Sequence, residues 1–211
     1  MNLPCLYSFR RCPYAMRARM ALLYSAIRVE LREVKLSAMP AELLNISSKA
    51  TVPVMRINDG TVFSESLDIM YWALSISDPQ QWLMEDVESQ ELIRQNDVEF
   101  KPLLDNYKYA ERFSQNSQLE HRNLAEKFVA SLESRLSGNT WLFDDRLTIS
   151  DVAIMPFIRQ FAGVEPQWFA QCKYDGVRRW LNQQIASELF QSVMHKYVFW
   201  QSGDEPVFFG R

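Results

Sequence analysis

The 211-residue chain is short of histidine, cysteine and glycine and has no excess of basic charge. Its two histidines, His121 and His195, stand in no spacing suited to a metal or a serine-hydrolase triad, and they read as surface or structural residues. Three cysteines, Cys5, Cys12 and Cys172, are too few and too scattered for a disulfide framework or a zinc site, so any cysteine chemistry involves one thiol at a time. With 23 basic and 26 acidic residues the formal charge is −3, which lacks the basic excess of a general nucleic-acid binder. No apolar run approaches the roughly 18 residues that cross a bilayer. Met1-Asn2-Leu3-Pro4 leads into a short strand-like segment in place of an export signal, so the cytoplasm is the expected compartment. Six glycines and 47% hydrophobic residues exclude collagen-like and disordered chains, and the length admits one large domain or two smaller ones.

What is present is punctuated clearly. Leu3 to Ser8 is apolar and β-compatible, and the loop Phe9-Arg10-Arg11-Cys12 ends at Pro13, a residue suited to the first position of a helix. That helix is expected over 13–25, with Met16, Met20 and Leu23 as its apolar stripe and Arg17 and Arg19 on other faces. Arg28 to Val34 alternates as a half-buried strand does, which completes a βαβ unit with a parallel pair. A short helix over 40–46 and strands at 52–57 and 61–63, joined by Asn58-Asp59-Gly60, follow. The apolar run Leu67 to Leu74 reads as a helix docked on the sheet. The text changes at Ser75 to Gln81, a linker, and beyond Met84 the pattern is helical, with helices expected at 85–112, 117–137, 150–162, 176–187 and 188–198. The polar tail ends in Phe208-Phe209, which folds back on the body or meets a neighbouring chain.

Cys12 is placed at the N-cap of the first helix, where unpaired amides and the positive end of the helix dipole favour a thiolate, the nucleophilic form of cysteine. Arg10, Arg11 and Arg17 are placed to add positive potential; the alternative, less favoured, is that Cys12 merely caps the helix as a small residue. Ala15 stands where a Cys-x-x-Cys pair has its second thiol, so a mixed disulfide here needs an external thiol to resolve it. Thr51-Val52-Pro53 fits an ordinary trans proline or a cis bond that presents the Val52 backbone to a peptide ligand. Glu65-Ser66, between the last strand and a helix, fits plain capping or a site for the amino and carboxylate groups of an amino acid.

The ordered set Cys12-Pro13-Tyr14-Ala15, Thr51-Val52-Pro53 and Glu65-Ser66 on this framework resembles the cysteine-type glutathione transferases, close to the omega and glutaredoxin-2-like branches. Thr148-Ile149-Ser150-Asp151 is similar to that superfamily's capping box ahead of a core helix, a folding element. The resemblance implies an α/β thioredoxin-like N-terminal domain (β-α-β-α-β-β-α) over 1–78 and an all-α C-terminal domain over 84–211. It also implies that Cys12 is the catalytic thiol, Val52 the backbone clamp, Pro53 the cis proline, and Glu65 and Ser66 the γ-glutamyl site. The lysine that omega-type proteins offer to the glycine carboxylate is replaced by Met39, leaving Lys35 or Lys49 for that task. Tyr14 is a second-substrate contact or a packed aromatic. Tyr107, Tyr109, Phe113, Phe157, Trp168 and Phe169 are candidates for an apolar second-substrate pocket, Tyr107 foremost, although most such aromatics are core. Tyr7 reads as core, and Cys5 and Cys172 as inert.

The implied function is glutathione-dependent thiol transfer, deglutathionylation or reductive removal of a group, in detoxification, with glutathione as co-substrate and a small electrophile or disulfide as partner. No metal, nucleic acid or membrane is implied. Conventional conjugation is a close variant, and a non-catalytic binding module on the same fold is the alternative from another class. A homodimer is the family default, while glutaredoxin-2-like relatives are also found as monomers.

Overall fold

The computed structural model describes residues 3–84, 86–112 and 117–210; Met1, Asn2, Glu85, the stretch 113–116 and Arg211 lie outside the described residues. The chain divides into two compact units, one of Met1–Gln81 with Ser187–Arg211 and one of Trp82–Ala186.

In the first unit β1 (Cys5–Ser8) and β2 (Val29–Glu33) pair in parallel, with Cys5 opposite Glu30 and Ser8 opposite Glu33, and α1 (Pro13–Tyr24) forms the crossover that a parallel pair requires. After α2 (Ala41–Ile46), β3 (Val54–Arg56) runs antiparallel to β1, and β4 (Val62–Phe63) antiparallel to β3. The turn between them uses Gly60 at φ +92 and an Asp59 side chain that accepts from the Thr61 amide at 2.8 Å. Then α3 (Ser66–Ile76) packs beside α1. The two arginines of α1 are placed off the apolar stripe, yet both are buried, Arg17 at 2% and Arg19 at 0% exposure. Buried charges persist only where acceptors meet them, and both have such partners.

The second unit is helical: α4 (Val87–Gln95), α5 (Lys101–Lys108), α6 (Gln118–Leu136), α7 (Ile149–Ala162), α8 (Pro166–Gln171) and α9 (Asp175–Ala186). The single helix expected over 85–112 is interrupted by a π-turn at Asn96–Phe100 and ends in a 3-10 turn at Ala110–Arg112. Pro102 explains the interruption. It has no amide to give and its ring crowds the carbonyl four residues back, and just before it the Lys101 amide donates to the Asn96 carbonyl, a five-residue step. The expected capping box is present, and its Asp151 is fully buried. Asp151 accepts from Thr148 N and Oγ1, from Leu142 N and from Trp180 Nε1, all at 2.8–3.0 Å; burial pushes its carboxyl up while these donors pull it down.

The last helix, α10 (Glu188–Val193), is capped by Ser187 and ends earlier than the expected 198. An extended segment follows to β5 (Phe208–Phe209), which pairs antiparallel with β2 and completes a sheet of order β4-β3-β1-β2-β5. Residues 187–211 thus cluster with the first unit, whereas the sequence reading runs the helical half through to 211. Here the tail folds back on its own chain, covering the outer edge of β2. Gly210, at φ +94, is required by the close approach: a Cβ there would meet the Ile27 carbonyl oxygen at 2.1 Å.

Candidate functional site

The strand-to-helix turn after β1 delivers Cys12 to the N-cap of α1 with extended backbone angles (φ −76, ψ 123). Its amide donates to the Phe9 carbonyl at 2.9 Å, its own carbonyl accepts from the Met16 amide at 2.9 Å, and Pro13 begins the helix. The thiol does not cap the helix. It turns across to β3's approach and donates to the Val52 carbonyl at 3.4 Å, where the Val52–Pro53 peptide is cis. Half-buried, Cys12 packs with Phe9, Met39 and Ile46 against a cluster that includes Tyr7, Leu43, Val52 and Val54.

A second group forms at the N-terminus of α3. Glu65 is the N-cap without using its side chain for capping; that carboxylate, well exposed, pairs with Lys49. Ser66 is buried, and its Oγ accepts from Arg17 Nε at 3.0 Å. The Arg17 guanidinium also lies 5.1 Å from the Tyr14 ring centroid. Arg17 therefore joins the helix of Cys12 to the Glu65-Ser66 turn. Lys49 meets this group through Glu65, while Lys35 is exposed in a small bridge with Ala38.

The structure places Tyr107 in the core of the helical unit: it is 0% exposed, its hydroxyl donates to Glu165 at 2.7 Å, and burial together with that carboxylate raises its pKa. Its ring packs 5.2 Å from Phe161, which also meets Trp168 and Phe169. Phe157 is fully buried, Tyr109 lies between Lys108 and Arg112, and Phe113 lies outside the described residues. Cys5 is buried in β1, its thiol pushed up to about 11 by burial in spite of nearby Arg32; Cys172 is buried too. Tyr7 is core, accepting from Arg32 at 2.6 Å and meeting Trp200 edge-on.

One element near Cys12 escapes the sequence reading. Glu33, the last residue of β2, is buried, accepts from the Arg10 amide at 2.6 Å and pairs with buried Arg19. The available signal is the alternation itself: Val29, Leu31 and Glu33 share the inward face of β2, so a carboxylate stands where an apolar residue is expected. Among the described residues, no three His, Cys, Asp or Glu side chains gather as a metal site would, and no helix is long and apolar enough to cross a membrane.

A parallel-paired β-α-β with an antiparallel β-β-α continuation, a cysteine at its first helix N-cap facing a cis X-Pro, and a separate all-helical unit define a class of protein that known families share. Residues 6–81 match the family "Glutathione S-transferase, N-terminal domain" and residues 106–183 match "Glutathione S-transferase, C-terminal domain". A probable glutathione transferase of Aplysia californica is 31% identical over 70 residues, which span 33% of this chain and 76% of that protein. The chain belongs to the glutathione transferase superfamily. Solved structures share its fold. A glutathione transferase family member from Pseudomonas fluorescens, with two glutathione bound, has a TM-score of 0.79 at 20% identity over 92% of each chain. A Burkholderia graminis glutathione transferase, with two glutathione molecules per subunit, has 0.78 at 18% identity over 92% of this chain and 88% of its own. One from Pseudomonas putida, with one glutathione disulfide per subunit, has 0.77 at 16% identity over 92% and 91%.

Proposed function

We propose that this protein is a cysteine-type glutathione transferase that works by thiol–disulfide exchange through Cys12. The observation that carries the reading is the Cys12 thiol at the start of α1, aimed at the Val52 backbone beside the cis Val52–Pro53 bond. In this reading the main chain of Val52 pairs with the cysteinyl part of glutathione, as an added strand does. The γ-glutamyl carboxylate meets Ser66 and the amides at the start of α3, and its ammonium meets Glu65, which an exposed lysine pair does little to hold back. Lys49 sits close enough to Glu65 to follow the ligand to a carboxylate.

The chemistry balances without an internal second thiol, as Ala15 requires. The Cys12 thiolate attacks the glutathione sulfur of a mixed disulfide R–S–S–G; the Cys12–glutathione disulfide forms and R–S⁻ leaves, taking a proton from water. A second glutathione thiolate then attacks the glutathione sulfur, releasing glutathione disulfide and regenerating Cys12. Relatives of the same fold that hold two glutathione molecules or one glutathione disulfide are consistent with a site that accommodates both thiols. The test compares turnover of a glutathione mixed disulfide with conjugation of a chloronitroaromatic, in wild type and in Cys12→Ala. The reading expects the mixed disulfide to be the better substrate and Cys12→Ala to abolish its turnover. Full disulfide activity in Cys12→Ala, or activity with the aromatic alone, contradicts it.

A further inference from the structure

The turn that carries Cys12 is held at its start and at Arg10 by one buried ion pair. Glu33 Oε1 accepts from the Arg10 amide at 2.6 Å, inside the turn, while Glu33 Oε2 pairs with Arg19. Arg19 in turn donates from Nε to Ser8 Oγ at 2.8 Å, at the end of β1 where the turn begins, and from Nη1 to the Val193 carbonyl of α10 at 3.3 Å. Arg10 Nη1 reaches the Met194 carbonyl at 3.4 Å, and Trp200 N donates to the Glu33 carbonyl at 2.8 Å. The charged and titratable groups facing Glu33 are therefore Arg10 from the turn, Arg19 from α1 and Tyr197 from the C-terminal segment.

We infer that Glu33, through its bond to the Arg10 amide and its pair with Arg19, is a positioning residue that sets the N-cap geometry of Cys12 and ties it to the C-terminal segment. The inference rests on the reading of Cys12 as the reacting thiol. A buried ion pair is a weak source of net stability, but it fixes geometry when its polar atoms are partnered, and here each nitrogen of Arg19 and each carboxylate oxygen of Glu33 has a partner. Only a carboxylate suits this place, because both of its oxygens face donors. A glutamine offers one acceptor and one donor, so whichever way it turns, its NH₂ meets either the Arg10 amide or the Arg19 guanidinium.

Charge and geometry predict opposite signs, which makes the inference testable. Neutralising an anion near a thiol favours the thiolate and speeds alkylation, and a loosened fold speeds it as well, by exposing the half-buried Cys12 further. Misplacing the N-cap slows it. The second-order rate of Cys12 alkylation by iodoacetamide at neutral pH, followed by peptide mapping in protein with a native near-ultraviolet spectrum, is expected to fall about tenfold in Glu33→Gln and less in Arg19→Lys. An unchanged or faster rate at Cys12 in either folded variant overturns the inference. Should neither variant fold, amide exchange in the wild-type protein decides: strong protection of Arg10 N–H supports the clamp, and exchange at the rate of an unstructured amide contradicts it. Incubation of wild type with glutathione disulfide separates the two claims, since failure to modify Cys12 defeats the proposed function and leaves the alkylation comparison standing.

Discussion

Arg17 on α1 donates from Nε to Ser66 Oγ on α3 at 3.0 Å, so the helix that starts at Cys12 is bonded to the turn proposed to hold the γ-glutamyl group, 49 residues away in sequence. Ser66→Ala takes that acceptor from a buried guanidinium. It is expected to cost about 1–3 kcal/mol in chemical denaturation and to raise the KM for glutathione. A variant of unchanged stability and unchanged KM contradicts both roles of the bond.

The Lys49–Glu65 pair is well exposed, and pairs of this kind contribute about 1 kcal/mol or less. Glu65→Gln should therefore leave the melting temperature nearly unchanged while weakening glutathione binding about tenfold, the worth of a charge-assisted bond to the ligand ammonium. Calorimetric titration of the folded variant measures this directly. Equal affinity in variant and wild type removes Glu65 from the site.

Burial raises the Cys5 thiol from 9.0 to about 11. The folded protein keeps this proton after the unfolded chain has lost it, so its contribution is intact below pH 9 and declines as pH rises from 9 towards 11. Denaturation midpoints across this window should fall less steeply in Cys5→Ala than in wild type. By the same reasoning buried Cys5 is expected to resist alkylation at pH values near 8 and to react more slowly than half-buried Cys12. Equal alkylation of the two cysteines in folded protein contradicts this.

Gly210→Ala puts a Cβ 2.1 Å from the Ile27 carbonyl oxygen at a φ of +94. The strand β5 must then move, and the 2.7 Å bond from the Leu31 amide to the Val207 carbonyl goes with it. Loss of exchange protection at Leu31, with about 1–3 kcal/mol of destabilisation, is the expected result. Undiminished protection at Leu31 shows that the tail is not held there.

The parts legible in the sequence are those written locally. Pro13 after Cys12, the alternation of Val29 to Glu33 and the Asp59-Gly60 turn each specify their element within a few residues, and the elements stand within one or two positions of expectation. The pairing of Cys12 with Val52 follows from a resemblance carried by short motifs, since periodicity contains nothing about which loop a thiol faces. What escapes is non-local or too short to have a period. The strand β5 is two residues long and exists through β2 and Gly210; Arg17 and Arg19 look like polar faces of a helix until Ser66 and Glu33 arrive from distant segments. The π-turn had a visible cause in Pro102, whose effect on a helix is a kink, a break or a change of spacing, and sequence does not choose among them. Tyr107 shows the converse, an aromatic at helical spacing whose full burial and bond to Glu165 no periodicity discloses.

The central claim is that Cys12 is the thiol that meets glutathione, and intact-mass measurement after incubation with glutathione disulfide tests it most directly. One glutathione adduct, mapped to the peptide containing Cys12, absent from Cys12→Ala and removed by excess reduced glutathione, is the predicted result. An adduct on Cys5 or Cys172 in the folded protein, or no adduct on Cys12, contradicts it.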